Sequence, residues 1–223
     1  MKRLAGPIAV GLLLLATACA TPTSHSPAAP GEKLATIPST TAPSTGYRET
    51  GTSSWRGREF QGRTTASGEV FDMNVPSAAH RTLPLGTIIH VTNLDNSRSI
   101  TVKVTDRGPF VRGRALELSY AAARELGFIA QGTAQLRIET GDTVPEGGTF
   151  SVQVAVYTEE ENARMLKERL SRKYETIAII PFESNVGRFY RVRVGAYSSQ
   201  EKAERIAGKL VMDGLEPLVV RKD

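Results

Sequence analysis

The chain has 223 residues and a formal net charge of +5, and 40% of its residues are hydrophobic while only 6% are aromatic. Its single cysteine, Cys19, excludes an internal disulfide and a thiolate metal site. A basic balance this mild suits anionic surroundings but is usually a solvated surface, so charge alone does not identify a partner.

Residues 1–18 have the pattern of a secretory signal. A charged start precedes an apolar run, Ile8 to Leu15, that is too short to span a membrane. Ala16 to Ala18 fits an ordinary cleavage site, whereas Cys19 stands where a bacterial lipoprotein signal places its lipidated cysteine. Because an unpaired thiol is a liability in an oxidising space, we expect lipidation of Cys19. The alternative is a soluble secreted protein.

The segment 19–50 is rich in Thr, Ser, Pro and Ala and poor in large apolar residues. Such a composition buries too little surface to offset the entropy of ordering it, so we expect a tether. At random-coil dimensions its ~30 residues would reach tens of ångströms from an anchor.

The first folded domain is expected at 51–141. Thr87 to Thr92, Ser99 to Val104 and Ala134 to Glu139 have the residue types of strands. The Ala-rich run from Ser119 to Leu126 indicates one short helix. Many short strands with one helix favour a closed β-barrel or a sandwich, and the pattern alone does not choose between them.

Three short segments rich in turn residues each hold one side chain capable of acid–base chemistry, namely Glu69, His80 and Asp106. Turn residues at all three places predict that loops carry these side chains to a common surface. The segments are Gly62–Glu69, Ala78–Pro84 and Thr105–Pro109.

A second domain, 148–223, contains an internal repeat with an offset of 40 residues, as in Val152 and Val192. Each half has an alternating strand, a capping pattern and an amphipathic helix, with the caps predicted at Thr158 and Ser198. Each half then closes with another strand. Two such halves predict a βαββαβ fold, an open sheet with both helices on one face.

The three loop segments resemble those of the rare lipoprotein A family of bacterial cell-wall proteins, over roughly residues 51–139. The run from Tyr190 to Tyr197 is similar to the signature of the SPOR domain, which binds glycan strands stripped of stem peptides. These resemblances imply an all-β, six-stranded double-psi β-barrel followed by a small α+β SPOR domain. They also imply a lytic transglycosylase, which cleaves peptidoglycan glycan strands.

The resemblance implies catalytic roles for Asp106, Glu69 and His80. Asp106 would protonate the leaving oxygen and then accept the proton of the muramic acid 6-hydroxyl, giving a 1,6-anhydro end. Glu69 would stabilise the developing positive charge, and His80 would bond a carboxylate or the substrate. Contacts with sugar hydroxyls or carboxylates are expected from Arg63, Thr64, Ser67 and Arg107.

Each catalytic candidate also has a purely structural interpretation. Asp106 would cap the turn that follows it, Glu69 would be a solvated loop carboxylate, and His80 would stabilise a turn. Three positions depart from the residues usual in the family, with Arg56 in place of Tyr, Thr105 in place of Asn and Glu117 in place of Asp.

Three functions remain open at the level of sequence. The favoured one is a lytic transglycosylase of strands that lack stem peptides, acting in wall remodelling and daughter-cell separation. The others are a non-catalytic, expansin-like glycan-binding lipoprotein and a lipid-tethered adaptor for division proteins. We expect an outer-membrane lipoprotein facing the periplasm and enriched at the septum, with no cofactor, no metal and no nucleic-acid partner. No residue cluster has metal-ligand spacing.

Overall fold

The computed structural model describes residues 46–141, 144, 147–184 and 186–222. The predicted signal, Cys19 and most of the predicted tether lie outside these described residues. The first strand begins at Arg48, three residues before the expected start of the domain at 51. Among the described residues, no helix has both the length and the apolar character needed to cross a membrane.

The first domain is a closed barrel of six strands, in the order β1-β5-β2-β4-β3-β6. Its strands are β1 (Arg48–Arg56), β2 (Ser77–Ala79), β3 (Ile88–Asn93), β4 (Ser99–Asp106), β5 (Arg114–Ser119) and β6 (Thr133–Thr140). A short 3-10 helix, Arg58–Phe60, follows β1, and the helix α1, Tyr120–Leu126, follows β5.

Two strand pairs of the barrel are parallel, β1 with β5 and β2 with β4, while the other four pairs are antiparallel. Closure leaves the sheet without a free edge, and alternate side chains fill the interior. Ile89, Val91, Leu116, Leu136 and Ile138 are all fully buried there. The prediction of a six-stranded double-psi barrel is confirmed, and the sandwich is excluded.

The helix α1 has the ends that its sequence predicts. The Ser119 hydroxyl accepts a hydrogen bond from the Ala122 N–H, which caps the first turn. Gly127 ends the helix with φ of +77°, a left-handed conformation that glycine adopts without strain. This short helix packs its alanines against the barrel, where Ala122 and Ala123 are fully buried.

The second domain is a four-stranded antiparallel sheet in the order β10-β7-β9-β8, with two helices. Val152, Val192 and Val194 point from the sheet to Ala163 and Ala203 of the helices, forming one core. The predicted βαββαβ fold is confirmed. Its elements are β7 (Phe150–Tyr157), α2 (Glu160–Ser171), β8 (Ile177–Ser184), β9 (Gly187–Tyr197), α3 (Gln200–Met212) and β10 (Leu218–Arg221).

The predicted caps of these two helices are each wrong by one residue. Ser199, and not Ser198, caps α3 by accepting a hydrogen bond from the Lys202 N–H. Glu159 occupies the cap position of α2 without a side-chain hydrogen bond, so Thr158 lies outside that helix. A Ser-Ser pair offers two equivalent cap residues, and the sequence pattern does not distinguish them.

Both domains belong to the same compact unit. The face of the second sheet that is free of helices lies against the barrel. There the Arg63 guanidinium donates a hydrogen bond of 2.6 Å to the Glu183 carbonyl. At the end of β10, the Arg221 N–H donates to the Arg81 carbonyl at 2.9 Å. The second domain therefore forms one wall of a cavity on the barrel.

Two glycines of the second domain, Gly195 on β9 and Gly214 after α3, allow a matched test of how closely Tyr197 packs on β9. Both have left-handed backbones, with φ of +76° and +79°. A Cβ atom on Gly195 would lie 2.0 Å from the Tyr197 ring, whereas one on Gly214 would meet nothing within 4 Å. We expect Gly214→Ala to cost about 1 kcal/mol of unfolding free energy through backbone strain alone.

Gly195→Ala should cost clearly more than Gly214→Ala, because the Tyr197 ring must also move. Thermal unfolding of the two variants, followed by calorimetry, measures the difference. Equal losses in the two variants would contradict the close approach of Tyr197 to Gly195.

Candidate functional site

A cavity of about 620 Å³ lies between the barrel and the open face of the second sheet. Its size falls within the ~300–1,000 Å³ that is usual for small-molecule sites. Two acidic residues, Asp106 and Glu117, line it among many basic and aromatic ones. The lining residues are Arg56, Phe60, Arg63, Thr64, Thr65, Ala66, Asp106, Arg107, Phe110, Val111, Glu117, Val156, Phe182, Phe189, Arg191, Arg193, Arg221 and Lys222.

The Asp106 carboxylate, at the end of β4, joins three segments of the barrel. Its Oδ2 lies 2.5 Å from Nη1 of Arg56, on β1. Its Oδ1 accepts hydrogen bonds from the Ala66 N–H at 2.9 Å and from the Arg107 N–H at 2.8 Å. An ionised carboxylate accepts hydrogen bonds at both oxygens, so these contacts suit the charged form of Asp106.

The Arg56 side chain is only 4% exposed. Its guanidinium lies 4.7 Å from the centroid of the Phe71 ring and 5.5 Å from that of Phe60. Two of its nitrogens, Nε and Nη2, have no hydrogen-bond partner among the described residues. Aromatic faces and the Asp106 carboxylate therefore compensate for the burial of this cation.

Glu117 differs from Asp106 in its surroundings. Burial raises the pKa of the Glu117 carboxyl, against the opposing fields of Arg56 and Arg114. Its Oε2 packs against Gly108, where an added Cβ atom would lie 3.1 Å away. The cavity thus holds one carboxyl group whose pKa is raised by burial and one that is ion-paired.

Glu69 lies on the loop between the 3-10 helix and β2. This loop folds back on itself through hydrogen bonds such as that from the Thr65 N–H to the Glu69 carbonyl. The Glu69 carboxylate lies 2.6 Å from Nζ of Lys103, and its side chain is 51% exposed. It is not among the residues that line the cavity.

The His80 ring is buried on another side of the barrel. Its Nδ1 accepts hydrogen bonds from the N–H groups of Thr82 and Leu83, so the ring proton is on Nε2. That Nε2 donates to Glu49 at 3.0 Å. Burial lowers the pKa of His80, and it does so against the opposing effect of the Glu49 carboxylate.

His80 and Asp106 are linked through the backbone and not through their side chains. The His80 N–H donates to the Asp106 carbonyl at 3.1 Å. The His80 ring, however, lines a separate depression with Tyr47 and Glu49. The structure therefore brings neither Glu69 nor the His80 ring into the cavity with Asp106, and their catalytic roles stay predictions.

Three of the four residues expected to contact substrate do line the cavity, namely Arg63, Thr64 and Arg107. Arg107 donates to the Leu83 carbonyl at 2.7 Å, which fixes its side chain against the barrel. Ser67 is not among the residues that line the cavity, and its N–H donates to the Thr105 carbonyl at 3.0 Å. It anchors the loop that carries the Ala66 N–H to Asp106.

The second sheet contributes Phe182, Phe189, Arg191 and Arg193 to the cavity. These alternate along β8 and β9 with the residues that face the helices, as strand geometry requires. The Arg191 guanidinium lies 3.8 Å from the Phe182 ring centroid and 4.7 Å from that of Phe110 on the barrel. Burial lowers the pKa of Arg191 to about 10, so it remains cationic at neutral pH.

In the sequence, Arg56 and Glu117 stand out only as departures from the family, and Phe182, Phe189, Arg191 and Arg193 were not predicted to be site residues. The repeat in the second domain does predict which face of the sheet carries Arg191 and Arg193. Two arginines alternating with Val192 and Val194 must lie on the face opposite the helices. No comparable pattern predicts that this face covers the end of β4.

Each of the two domains matches a known protein family. A family model described as lytic transglycolase matches residues 48–138, and one described as SPOR domain matches residues 146–221. The endolytic peptidoglycan transglycosylase RlpA of Neisseria meningitidis serogroup A is 38% identical over 164 residues, which cover 70% of this chain and 69% of that protein. The protein of the same name from Vibrio cholerae is 33% identical over 186 residues, covering 79% and 70%.

Other similarities are narrower or weaker. Over 98 residues the chain is 50% identical to the RlpA of Pseudomonas aeruginosa strain UCBPP-PA14, which covers 44% of this chain and 29% of that protein. A solved structure of apo expansin from Clavibacter michiganensis is similar at a TM-score of 0.36 and 13% identity, over 79% of this chain and 91% of that one.

The fold and the cavity define a double-psi barrel protein that carries a SPOR domain. The chain belongs to the family of the endolytic peptidoglycan transglycosylase RlpA.

The buried His80 predicts a dependence of stability on pH. Its pKa is lowered from an ordinary value of 6.5, so the folded barrel binds this proton more weakly than the unfolded chain. Stability should therefore be lost as pH falls through 6.5 towards the lowered pKa. Compared with the wild type, His80→Asn should be less stable at pH 7. It should also lose less stability than the wild type as pH falls below 6.5.

Melting temperatures of the wild type and of His80→Asn, measured between pH 7.5 and 5, test this expectation. His90→Asn, at an exposed position on β3, is the control and should behave as the wild type does. The same loss of stability on acidification in His80→Asn and in the wild type would contradict a neutral, buried His80.

Proposed function

We propose that this chain is a lytic transglycosylase whose proton donor is Glu117. The observation that supports the assignment is a cavity with two carboxyl groups in different surroundings, Glu117 with a pKa raised by burial and Asp106 paired with Arg56. A glycosidic bond breaks when a proton is delivered to its leaving oxygen while positive charge develops on the sugar. A protonated acid beside a carboxylate meets both needs.

The proton can return to Glu117 within a single turnover. The Glu117 carboxyl protonates the glycosidic oxygen as the bond to the anomeric carbon breaks. The 6-hydroxyl oxygen of the same muramic acid then bonds to the anomeric carbon, and its proton passes to the Glu117 carboxylate. The products are a free hydroxyl end and a 1,6-anhydro end, and the enzyme recovers its starting state without water as a reactant.

Asp106 has an electrostatic role in this scheme. Its carboxylate is fixed by Arg56, Ala66 and its own following N–H, so it need not reorganise when charge develops on the sugar. The resemblance implies the acid role for Asp106, and what supports Glu117 for that role instead is its pKa raised by burial. Glu69, paired with Lys103 outside the cavity, is not needed for the step.

The substrate and the location follow from the family and from both domains. The chain is a cell-envelope protein that binds peptidoglycan through its SPOR domain. In the finer proposal, it prefers glycan strands without stem peptides, and lipid on Cys19 anchors it in the outer membrane, enriched at the septum during daughter-cell separation. The predicted tether would then let the barrel reach the wall.

Substitution of each carboxyl group tests the chemistry. Glu117→Gln removes the proton donor, so cleavage should fall by at least ~10²-fold. Stability should not fall with it. Because the pKa of Glu117 is raised above 4.5, the wild type loses stability as pH rises from that value, and glutamine removes this loss.

Asp106→Asn should lose both activity and stability, because it leaves the buried Arg56 without its counter-charge. The cost has an upper bound of ~3–5 kcal/mol, the usual result of breaking a buried pair. Anhydro ends released from purified sacculi, counted by mass spectrometry, and calorimetric unfolding at pH 7 are the two measurements. Glu125→Gln, on the exposed face of α1, is the control and should leave both unchanged.

Near-normal cleavage by a folded Glu117→Gln variant would refute the acid role of Glu117. If none of the proteins released anhydro ends while all of them bound sacculi, the non-catalytic, glycan-binding function would replace the proposed one.

Lipidation is tested separately on the full chain in cells. Cys19→Ser should release the protein to the soluble fraction or leave it uncleaved, since the acyl chains would provide ~0.8 kcal/mol per buried methylene. Membrane fractionation and the intact mass of the mature protein check this. A wild-type protein that begins at Cys19 without lipid mass would contradict lipidation and favour cleavage as a soluble secreted protein.

A further inference from the structure

The second sheet contacts both of the barrel segments that hold the Asp106 carboxylate. In the loop that donates an N–H to Asp106, the Arg63 guanidinium donates to the Glu183 carbonyl of β8 at 2.6 Å. In the segment that follows Asp106, the centroid of the Phe110 ring lies 4.7 Å from the Arg191 guanidinium of β9. The sheet therefore bridges the cavity from one segment to the other and covers Asp106.

The docked domains are poorly packed against each other. Each has its own apolar core, and no apolar cluster joins the two among the described residues. Residues of both domains line the cavity of about 620 Å³ and a second depression of about 310 Å³, which has Tyr47 and Glu49 on the barrel side and Gln200 and Glu204 on α3. Permanent interfaces are packed as densely as protein interiors, so an interface with two such spaces is typical of domains that separate.

Positive charges also oppose the docking. Arg63 of the barrel and Arg191 of the sheet both lie by the Phe182 ring, 5.0 and 3.8 Å from its centroid. Burial is the main cause that lowers the pKa of Arg191, and the positive field of Arg63 adds to it, so the two cations repel each other. Within the described part of the chain, one ion pair joins the domains, Arg112 with Glu216 at 3.4 Å, and its side chains are 64% and 75% exposed. Exposed pairs contribute little to stability.

The shape of the substrate makes this cover a barrier. A glycan strand is a long polymer, and a covered passage admits a polymer only by one of its ends. An open groove instead admits any segment along the strand. Nearly all positions in a long strand lie far from an end, so a docked second sheet excludes most of the bonds that the barrel would cleave.

We propose that the second domain is an autoinhibitory cover, and that it moves off the barrel to admit an internal segment of a glycan strand. The inference rests on the proposed function, since the covered groups are those that would cleave the strand. The fold allows the movement, because the barrel and the second sheet share no strand and only the connection from Thr140 to Phe150 joins the two domains. Movement of one domain then controls access to the site.

A reversible cross-link between the domains tests the proposal on the full-length protein. Arg112→Cys and Glu216→Cys are introduced together with Cys19→Ser, so that the two new thiols are the only ones. Both positions are exposed and their original side chains meet, so a bismaleimide with a disulfide in its arm will join them. With ~90% of the molecules cross-linked, cleavage of long strands should fall by about 10-fold, because only molecules that open are competent. Reduction of the arm should restore the rate.

The control cross-link lies within the second domain. Glu160→Cys and Arg164→Cys replace an exposed ion pair along α2 and receive the same reagent. Strand length, followed by size-exclusion chromatography, is the measurement, and the control should shorten strands as fast with the cross-link as without it. Undiminished cleavage by the protein cross-linked between positions 112 and 216, or an equal loss in the control, would overturn the proposal.

Charge reversal tests the opposite change. Glu216→Arg places like charges at the interdomain pair, so it should favour the open form and raise the rate on long strands by at most about 5-fold, the range of an exposed pair. Adding Arg112→Glu restores the pair with its charges exchanged and should return the rate to that of the wild type. A Glu216→Arg variant that cleaves no faster than the wild type would show that the cover does not limit access.

A distance measurement separates this inference from the proposed catalysis. Spin labels on the cysteines at 112 and 216 are placed in the Glu117→Gln variant, and their separation is measured by pulsed electron paramagnetic resonance. The free protein should show one short distance, and long strands should add a longer one, which supports the opening even if no cleavage is ever observed. A long distance in the free protein, or a distance that saturating strands leave unchanged, overturns it whatever the state of the proposed function.

Discussion

The ion pair between Asp106 and Arg56 is the interaction on which the site depends. Arg56 is 4% exposed, and Asp106 is the carboxylate that balances its charge. The same carboxylate accepts the Ala66 N–H, and so fixes the loop that forms the rim of the cavity. One acidic side chain thus links β1, β4 and the loop, and a buried charge makes their arrangement costly to change. The strand register makes the link possible, because Ser54 of β1 pairs with Glu117 of β5, Glu117 pairs with Ala79 of β2, and Ala79 pairs with Asp106 of β4.

Most of the fold was predictable from the sequence. The spacing of apolar residues and the residues that begin and end helices or turns are local features, so they can be read without tertiary structure. The 40-residue repeat predicted the second sheet, and Ser119 with Gly127 predicted the bounds of α1. The site was less predictable. Asp106, Arg63, Thr64 and Arg107 do line the cavity, and their catalytic and binding roles stay predictions. Glu69 and His80 lie in neighbouring loops of the sequence, but the direction of each side chain depends on partners far along the chain, Lys103 and Glu49.

The aromatic residues of the second domain also show that local sequence patterns do not determine which surfaces form the cavity. Phe150, Tyr190 and Tyr197 pack in or against the core below the helices, which is the more frequent place for strand aromatics. The open face instead carries Phe182 and Phe189, together with the arginines that alternate with core valines. Period two places Arg191 on that face, yet only tertiary structure shows the face lying over Asp106. Docking between domains is the step that local patterns do not determine.

Arg56 and Glu117, two of the three departures from the family, meet in one cavity and act on each other. The field of Arg56 lowers the pKa of Glu117, but burial outweighs it, so the pKa of Glu117 is raised on balance. An acid one methylene longer than aspartate reaches Gly108, whose missing Cβ leaves room for the carboxyl oxygen. The arginine at position 56 pairs with Asp106 at the end of β4. The two residues together leave the cavity with one carboxyl group whose pKa burial raises and one that an arginine holds in an ion pair.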